Sequence, residues 1–282
     1  MKKCPYCGKE YSDDATNCAI DNELLLDASP QSATVEKEEI KTPPKKDEPY
    51  LLFPDYKWSA RDAWKCIGII ICLSIVLEAI DYIAYLNFPI FFGSGWGFAC
   101  RRILFFTTWV LPACYFARTE TLASVWDAFG LNRKPTNLVW FGVTAAVLLR
   151  LVSQFVLIHG WSKGVNNYEF TSFRNTIGYE RWLFKLSPVI LAPIFEESVN
   201  RGFLYKAFRG SYSVGASTLF VLVWVCYTHW SYYSVSWIAA LNLSALTIVQ
   251  CYLREKSASL WDCILCHFAF NASLLFVSAS WR

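Results

Sequence analysis

FEESVNRGFLY, residues 195–205, continues the apolar run LSPVILAPIF of residues 186–195. It places Glu196, Glu197 and Arg201 beside a segment hydrophobic enough for a bilayer, where ionisable groups are costly and are functional candidates by default. In an α-helix Glu197 and Arg201, four residues apart, share one face in the favoured order, acid before base. Glu196 points about 100° away. The doublet is therefore predicted to be one paired carboxylate and one that is available for chemistry.

Further polar groups lie in other apolar segments. The chain has only three histidines, and two of them, His229 and His267, are inside hydrophobic stretches. His267 and Asn271 are four residues apart and so project from one helix face. Singly, each group could simply hydrogen-bond a neighbouring helix. Together, a carboxylate, two imidazoles and an amide from three helices suit hydrolysis, with a base to activate water and donors to hold an oxyanion.

Composition gives the setting of these residues. The 282-residue chain is 55% hydrophobic and 17% charged, against roughly 25% charged in an average soluble protein. The net charge of +3 is too small to argue for nucleic acid as a partner. Apolar stretches predict spans at about 63–86, 102–117, 138–158, 182–205, 212–230, 234–252 and 258–279. The predicted fold class is an all-α polytopic membrane protein, a bundle of about seven or eight transmembrane helices.

The start of the chain and the loop charges predict its topology. MKKCPYCGKEYSDD has no apolar h-region and is not a cleavable signal peptide, so the N-terminus is predicted to begin in the cytoplasm. Most lysines and arginines of the short loops then fall on the cytoplasmic side, as the positive-inside rule requires. The predicted location is an integral, multi-pass membrane protein, in the inner membrane if the cell is prokaryotic. Membrane lipids are accordingly predicted partners.

Three domains are predicted along the chain. Residues 1–26 form a zinc-ribbon-like module, residues 27–57 a charged disordered linker, and residues 58–282 the transmembrane helical domain. In the module a CxxC turn presents two thiolates to one ion, and a second CxxD turn supplies the remaining ligands. The predicted zinc ligands are Cys4, Cys7, Cys18 and Asp21. Metal would stabilise so small a module; the alternative is a degenerate ribbon without its ion. In either case its expected role is docking of a protein partner or regulation.

The order EExxxR, intramembrane His, HxxxN resembles the CAAX-processing and bacteriocin-processing (CPBP, or Abi) family of intramembrane endopeptidases, which includes the type II CAAX prenyl protease. The resemblance covers about residues 120–279 and includes the lead-in VWDAFGLNRK (residues 125–134). The second motif departs from the family pattern, which has an aromatic residue four positions before the histidine. Here that position is Val225, with Trp224 beside it.

The resemblance implies a role for each motif residue. Glu196 with His229 would activate the water, and His267 with Asn271 would form the oxyanion site. The remaining two residues of the first motif, which would brace the helix, are Glu197 and Arg201.

The predicted function is an intramembrane endopeptidase that hydrolyses a peptide bond of a peptide or protein substrate at the membrane, with or without a lipid anchor. The alternative is a catalytically silent scaffold that keeps the fold and recruits a partner. Metal dependence stays open: two histidines and a glutamate could hold zinc with one open position, whereas a metal-free Glu–His base is favoured because Asn271 is a poor zinc ligand.

Overall fold

The described part of the chain is almost wholly helical. The computed structural model describes residues 2–4, 9–19, 25–27, 58–92, 94–117, 122–161, 187–234 and 236–279. Its helices are α1 (Ala60–Asn87), α2 (Pro89–Phe92), α3 (Gly95–Ala117), α4 (Leu122–Phe129), α5 (Leu138–Ile158), α6 (Ala192–Glu197), α7 (Tyr205–Arg209), α8 (Val214–Thr228), α9 (Trp230–Tyr233), α10 (Trp237–Ser257) and α11 (Leu260–Ala279). The predicted linker, residues 27–57, lies outside the described residues except for Asp27, which belongs to a strand of the N-terminal module.

The helices overlap the predicted apolar stretches, but most of their ends differ from the predicted bounds. α5 has the predicted bounds 138–158, whereas α3 begins at Gly95, before the predicted span 102–117. Ser94 explains the earlier start, because its side-chain oxygen accepts a hydrogen bond from the backbone N–H of Gly97 at 3.2 Å, which is the action of an N-cap.

Two features indicate a membrane protein. Among the described residues, α1 and α5 are the two helices long and apolar enough to cross a membrane by length and composition. In α1, a helix described along its whole length, no residue after Ile70 is buried. The large apolar side chains that are more than half exposed in this part of α1 are Ile75, Val76, Ile80, Tyr82, Ile83 and Leu86. An exposed apolar surface of this size, interrupted by Glu78, is unusual on a soluble monomer and suits lipid.

The N-terminal module is a small antiparallel sheet. Its strands, in the order β2-β1-β3, are β1 (Lys2–Lys3), β2 (Glu10–Tyr11) and β3 (Leu26–Asp27). Cys4, Cys18 and Leu25 form its buried core, so two of the four predicted zinc ligands lie in one cluster. The other two, Cys7 and Asp21, lie outside the described residues.

The centre of the bundle is one continuous helical run, residues 187–209, which we call the site helix. It consists of a π-helical segment (Ser187–Leu191), α6, a second π-helical segment (Ser198–Leu204) and α7. Every residue from 197 to 209 is buried. α1, α3, α4, α8, α10 and α11 all pack against this run. Polar side chains here cannot reach solvent, so each needs a partner inside the protein.

Three helices, α5, α10 and α11, pack closely against one another. At Gly142 of α5, an added Cβ would come within 2.6 Å of Leu253 Cδ1 on α10 and 3.1 Å of Cys266 Cβ on α11. Further along α5, the Ser153 hydroxyl accepts a hydrogen bond from the buried Asn242 amide of α10. Together these contacts fix α10 and α11 relative to α5.

Arg254, near the end of α10, connects three chain segments through their carbonyl groups. Its Nη2 donates to Phe129 O at the end of α4 (2.8 Å), its Nε to Arg201 O in the site helix (3.1 Å), and its Nη1 to Ala258 O. A carbonyl at the end of a helix, such as Phe129 O, has no intrahelical donor, so the guanidinium satisfies an acceptor that is otherwise orphaned. Gly130, at φ +80°, leaves room for it, because a Cβ there would meet Arg254 Nη1 at 2.6 Å.

We therefore expect Arg254→Met to destabilise the bundle strongly. A hydrogen bond to a charged group contributes about 1.5–3 kcal/mol and three are removed, so the free energy of unfolding should fall by about 3 kcal/mol or more, which should lower the thermal unfolding midpoint in detergent. Arg133→Met is the matched control, because the Arg133 side chain is exposed. Equal midpoints for the two variants would contradict this account of Arg254.

Candidate active site

The two adjacent glutamates have different environments. Glu197 is fully buried, whereas 14% of the Glu196 side chain is exposed. Consecutive helix residues point about 100° apart, so one carboxylate faces the interior of the bundle and the other faces a partly open space. This is the division that the sequence predicted for the doublet.

Glu197 is the centre of a buried polar cluster. Arg201 Nη1 lies 3.1 Å from both carboxylate oxygens, with its hydrogen bond directed at Oε1. The same Oε1 lies 2.9 Å from Gln250 Nε2 and 2.8 Å from His267 Nδ1. The pairing with Arg201 agrees with the four-residue spacing. The contacts with His267 and Gln250 come from α11 and α10, which are distant in sequence.

Gln250 was missed by the sequence analysis. The available signal was a single amide within the apolar stretch ALTIVQCYL of residues 245–253, since a polar residue inside a membrane helix usually bonds a neighbouring helix. Its partner could not be deduced, because that partner depends on how α10 packs against the site helix.

Glu196 faces His229 across a short gap. Glu196 Oε2 and His229 Nε2 are 3.9 Å apart, which is too far for a direct hydrogen bond. His229 follows the last residue of α8, and its Nδ1 lies 3.1 Å from Val225 O. Thr228 Oγ1 also lies 3.1 Å from Nδ1 and itself donates to Val225 O at 3.2 Å, so both neighbours of Nδ1 can act as acceptors. We therefore assign the hydrogen to Nδ1, which makes Nε2 an acceptor in the neutral ring. Two acceptors thus face each other.

The structure explains why position 225 can be a valine where the resembled family pattern has an aromatic residue. The contact with His229 comes from the backbone carbonyl of Val225, so it does not require an aromatic side chain there. Trp224 instead donates its indole N–H to Asn200 Oδ1 at 3.1 Å. Asn200 is one helical turn after Glu196, so this bond fixes α8 against the site helix close to the Glu196–His229 pair.

Asn271 contacts the start of the site helix. Its Nδ2 donates to Pro188 O at 2.7 Å. In a π-helix a carbonyl accepts from the N–H five residues later; for Pro188 that residue is Pro193, which has no N–H. Asn271 therefore satisfies a carbonyl that Pro193 leaves without a helical donor. One of its two amide hydrogens is used in this way, and the second is not required by Pro188.

The structure brings the six predicted membrane-site residues together around one element. Glu196 and Glu197 are adjacent on the site helix, and each faces one of two partly buried histidines, His229 and His267. Asn271 contacts the same helix about two turns before Glu196. Two imidazoles and one amide, carried by the end of α8 and by α11, thus converge on residues 188–197.

The donor set does not fit an active-site zinc ion in this arrangement. Within the described ranges, no group of three or more His, Cys, Asp or Glu residues could hold a metal ion. The facing pair Glu196 and His229 supplies two ligands, whereas catalytic zinc normally has three protein ligands. The Nδ1 of His267 is used by Glu197, so only the Nε2 of that ring could bind a metal.

The comparisons with known proteins agree with the motifs. A family model described as "Type II CAAX prenyl endopeptidase Rce1-like" matches residues 179–273, about a third of the chain. None of the curated proteins or solved structures compared with the chain matches it. The predicted lead-in, residues 125–134, lies outside the matched range. It nevertheless contacts the site helix, because Lys206 Nζ donates to Ala128 O of the lead-in at 2.6 Å.

All six predicted membrane-site residues lie within the matched range: Glu196, Glu197, Arg201, His229, His267 and Asn271. The match supports a relationship between this part of the chain and the CAAX-type membrane proteases that the motifs resemble.

Proposed function

We propose that the protein is an integral, multi-pass membrane endopeptidase in which Glu196 and His229 activate the attacking water. The observation that carries the proposal is the 3.9 Å separation of two acceptor atoms, Glu196 Oε2 and His229 Nε2. A single water can donate one hydrogen to each across such a gap. Its oxygen is then directed away from both side chains, towards a substrate.

The reaction follows as general-base hydrolysis. As the water oxygen bonds to the carbonyl carbon of the scissile peptide, one water proton passes to the Glu196–His229 pair. The carbonyl π electrons move onto oxygen and give a tetrahedral oxyanion. When this collapses, the C–N bond breaks and the pair returns the proton to the leaving amine. The products are a new carboxylic acid, which retains the second water proton until it ionises in water, and a new amine.

His267 and Asn271 are suited to bind the oxyanion. Glu197 accepts the hydrogen on His267 Nδ1, so the ring can carry a second hydrogen on Nε2 and still be charge-paired. With both glutamates ionised, Arg201 and a cationic His267 bring the four groups to a net charge of zero. Neutrality matters because an uncompensated charge is costly at membrane depth. The second amide hydrogen of Asn271 adds another donor.

The substrate class in this proposal is a peptide or protein at the membrane surface. The exposed apolar surface of α1 supports a position in lipid, and the name of the matching family suggests a prenylated C-terminal peptide as the first substrate to test. The orientation with a cytoplasmic N-terminal module belongs to the same proposal.

We expect Glu196→Gln to reduce kcat by about 10²–10⁴-fold, the usual contribution of a general base, because the amide cannot take up a proton. The measurement is cleavage of prenylated and unprenylated C-terminal peptides by the purified protein, alongside terminal-peptide mass spectrometry of host membranes. His229→Asn should show a loss of the same order.

Glu78→Gln is the control for the Glu196 variant, because it makes the same change at an exposed position of α1; its kcat should match that of the wild type. Full activity of both the Glu196 and the His229 variants would contradict the mechanism. Rescue of a deletion phenotype by Glu196→Gln would favour a scaffold function instead.

A structural zinc ion in the N-terminal module is also part of the proposal, with Cys4, Cys7, Cys18 and Asp21 as ligands. Cys4 and Cys18 are both buried in the same small cluster, although Tyr11 OH is also 3.0 Å from Cys18 Sγ. Cysteine thiolates are the usual ligands of structural zinc, and a docking role for a protein partner remains the function that we assign to the module.

Elemental analysis of the full chain should find about one zinc ion per molecule. The Cys4→Ser variant should lose this ion and the His229→Asn variant should retain it, because four ligands in the module are enough to complete a tetrahedral site. Cleavage should survive in Cys4→Ser. The opposite pattern, with zinc lost from His229→Asn and kept by Cys4→Ser, would assign the metal to the active site.

A further inference from the structure

Gln250 is a buried amide that the mechanism above does not use. It lies in α10 and is 2% exposed. Its side-chain nitrogen donates to Glu197 Oε1 at 2.9 Å and to Cys263 O of α11 at 3.3 Å. Both amide hydrogens therefore have acceptors, and the acceptors belong to the site helix and to α11.

The contact with α11 is reciprocal. Cys263 Sγ donates to the backbone carbonyl of Gln250 at 3.3 Å, so donors and acceptors are exchanged between the two helices at one level. Cys263 is four residues before His267, one helical turn along the same face. The exchange therefore fixes the position of α10 against α11 directly beside the histidine.

The contact with Glu197 fixes the orientation of its carboxylate. Oε1 receives hydrogen bonds from Arg201, Gln250 and His267. Oε2 receives no hydrogen bond from any described residue and is held through the charge of Arg201. The bonds on Oε1 oppose rotation of the carboxylate, and rotation would move Oε1 away from His267 Nδ1.

An amide is suited to this position because it is neutral. Arg201 is already one cation beside Glu197. A second cation in place of Gln250 would neutralise the carboxylate charge that balances a protonated His267. An apolar side chain there would supply no hydrogen bond. Gln250 supplies a donor and leaves the carboxylate charge available to the imidazole.

We propose that Gln250 is a positioning residue that acts through Glu197 to fix the ring and the hydrogen-bearing nitrogen of His267. This inference rests on the proposed function for its effect on turnover, because His267 is the oxyanion donor there. The placement of the ring itself does not depend on that function and can be measured separately.

The first arm of the test is kinetic. In Gln250→Met the Glu197 carboxylate loses one donor, so kcat should fall, by up to about 100-fold for a displaced catalytic group, while KM changes by less than about threefold. Gln154→Met is the matched control, because Gln154 is half-buried in α5 and makes no hydrogen bond to a described residue; it should retain wild-type kcat. Unchanged kcat in folded Gln250→Met would overturn the inference.

The second arm is spectroscopic and requires no activity. With only three histidines in the chain, ¹⁵N-histidine labelling gives a spectrum that single His variants can assign. Gln250→Met should shift the His267 ring signals and leave those of His159 and His229 in place; Gln154→Met should shift none. A Gln250→Met spectrum identical to the wild type, or one in which all three histidines move, would overturn a specific action on His267.

Gln250→Glu replaces the methionine variant if that variant does not fold, because glutamate has the same shape as glutamine. It should also shift the His267 signals and lower kcat, and wild-type behaviour would overturn the inference.

The unmodified protein gives a last check, since the His267 Nδ1 hydrogen should show a nuclear Overhauser contact with the Gln250 amide. Its absence would also contradict the inference. If wild-type protein cleaves no peptide, the proposed function fails while these signals still decide the placement of His267.

Discussion

The buried carboxylate of Glu197 is the constraint on which the site depends. A charge in the centre of a helical bundle is tolerated only with close compensation, and here Arg201, His267 and Gln250 supply it from three helices. Satisfying one carboxylate therefore draws α10 and α11 onto the site helix. The same requirement directs His267 Nδ1 inward.

The irregular hydrogen bonding of the site helix also determines the geometry of the site. π-helical segments lie on both sides of α6, and such segments are frequent at functional sites. Pro193 removes one backbone donor, and Asn271 of α11 satisfies the carbonyl that is left. The carbonyl that lacks a helical donor in one helix is thus bonded by a side chain of another helix, which places Asn271 about two turns before Glu196.

Local patterns in the sequence predicted much of this arrangement. Apolar length predicted the bounds of α5, and the spacing of Glu197 and Arg201 predicted their ion pair, because both depend on neighbours along one helix. The earlier start of α3 was missed because it depends on the Ser94 cap. The contacts of His267 and Gln250 with Glu197 could not be predicted, since they join residues 53 to 70 positions apart through helix packing.

The central claim is that Glu196 and His229 hold a water between two acceptor atoms. A high-resolution experimental structure of the unmodified protein in a lipid or detergent environment tests it most directly. The account predicts a water oxygen within hydrogen-bond distance, about 2.7–3.2 Å, of both Glu196 Oε2 and His229 Nε2. A direct Glu196–His229 hydrogen bond with no room for water, or a metal ion bound between the two side chains, would contradict it.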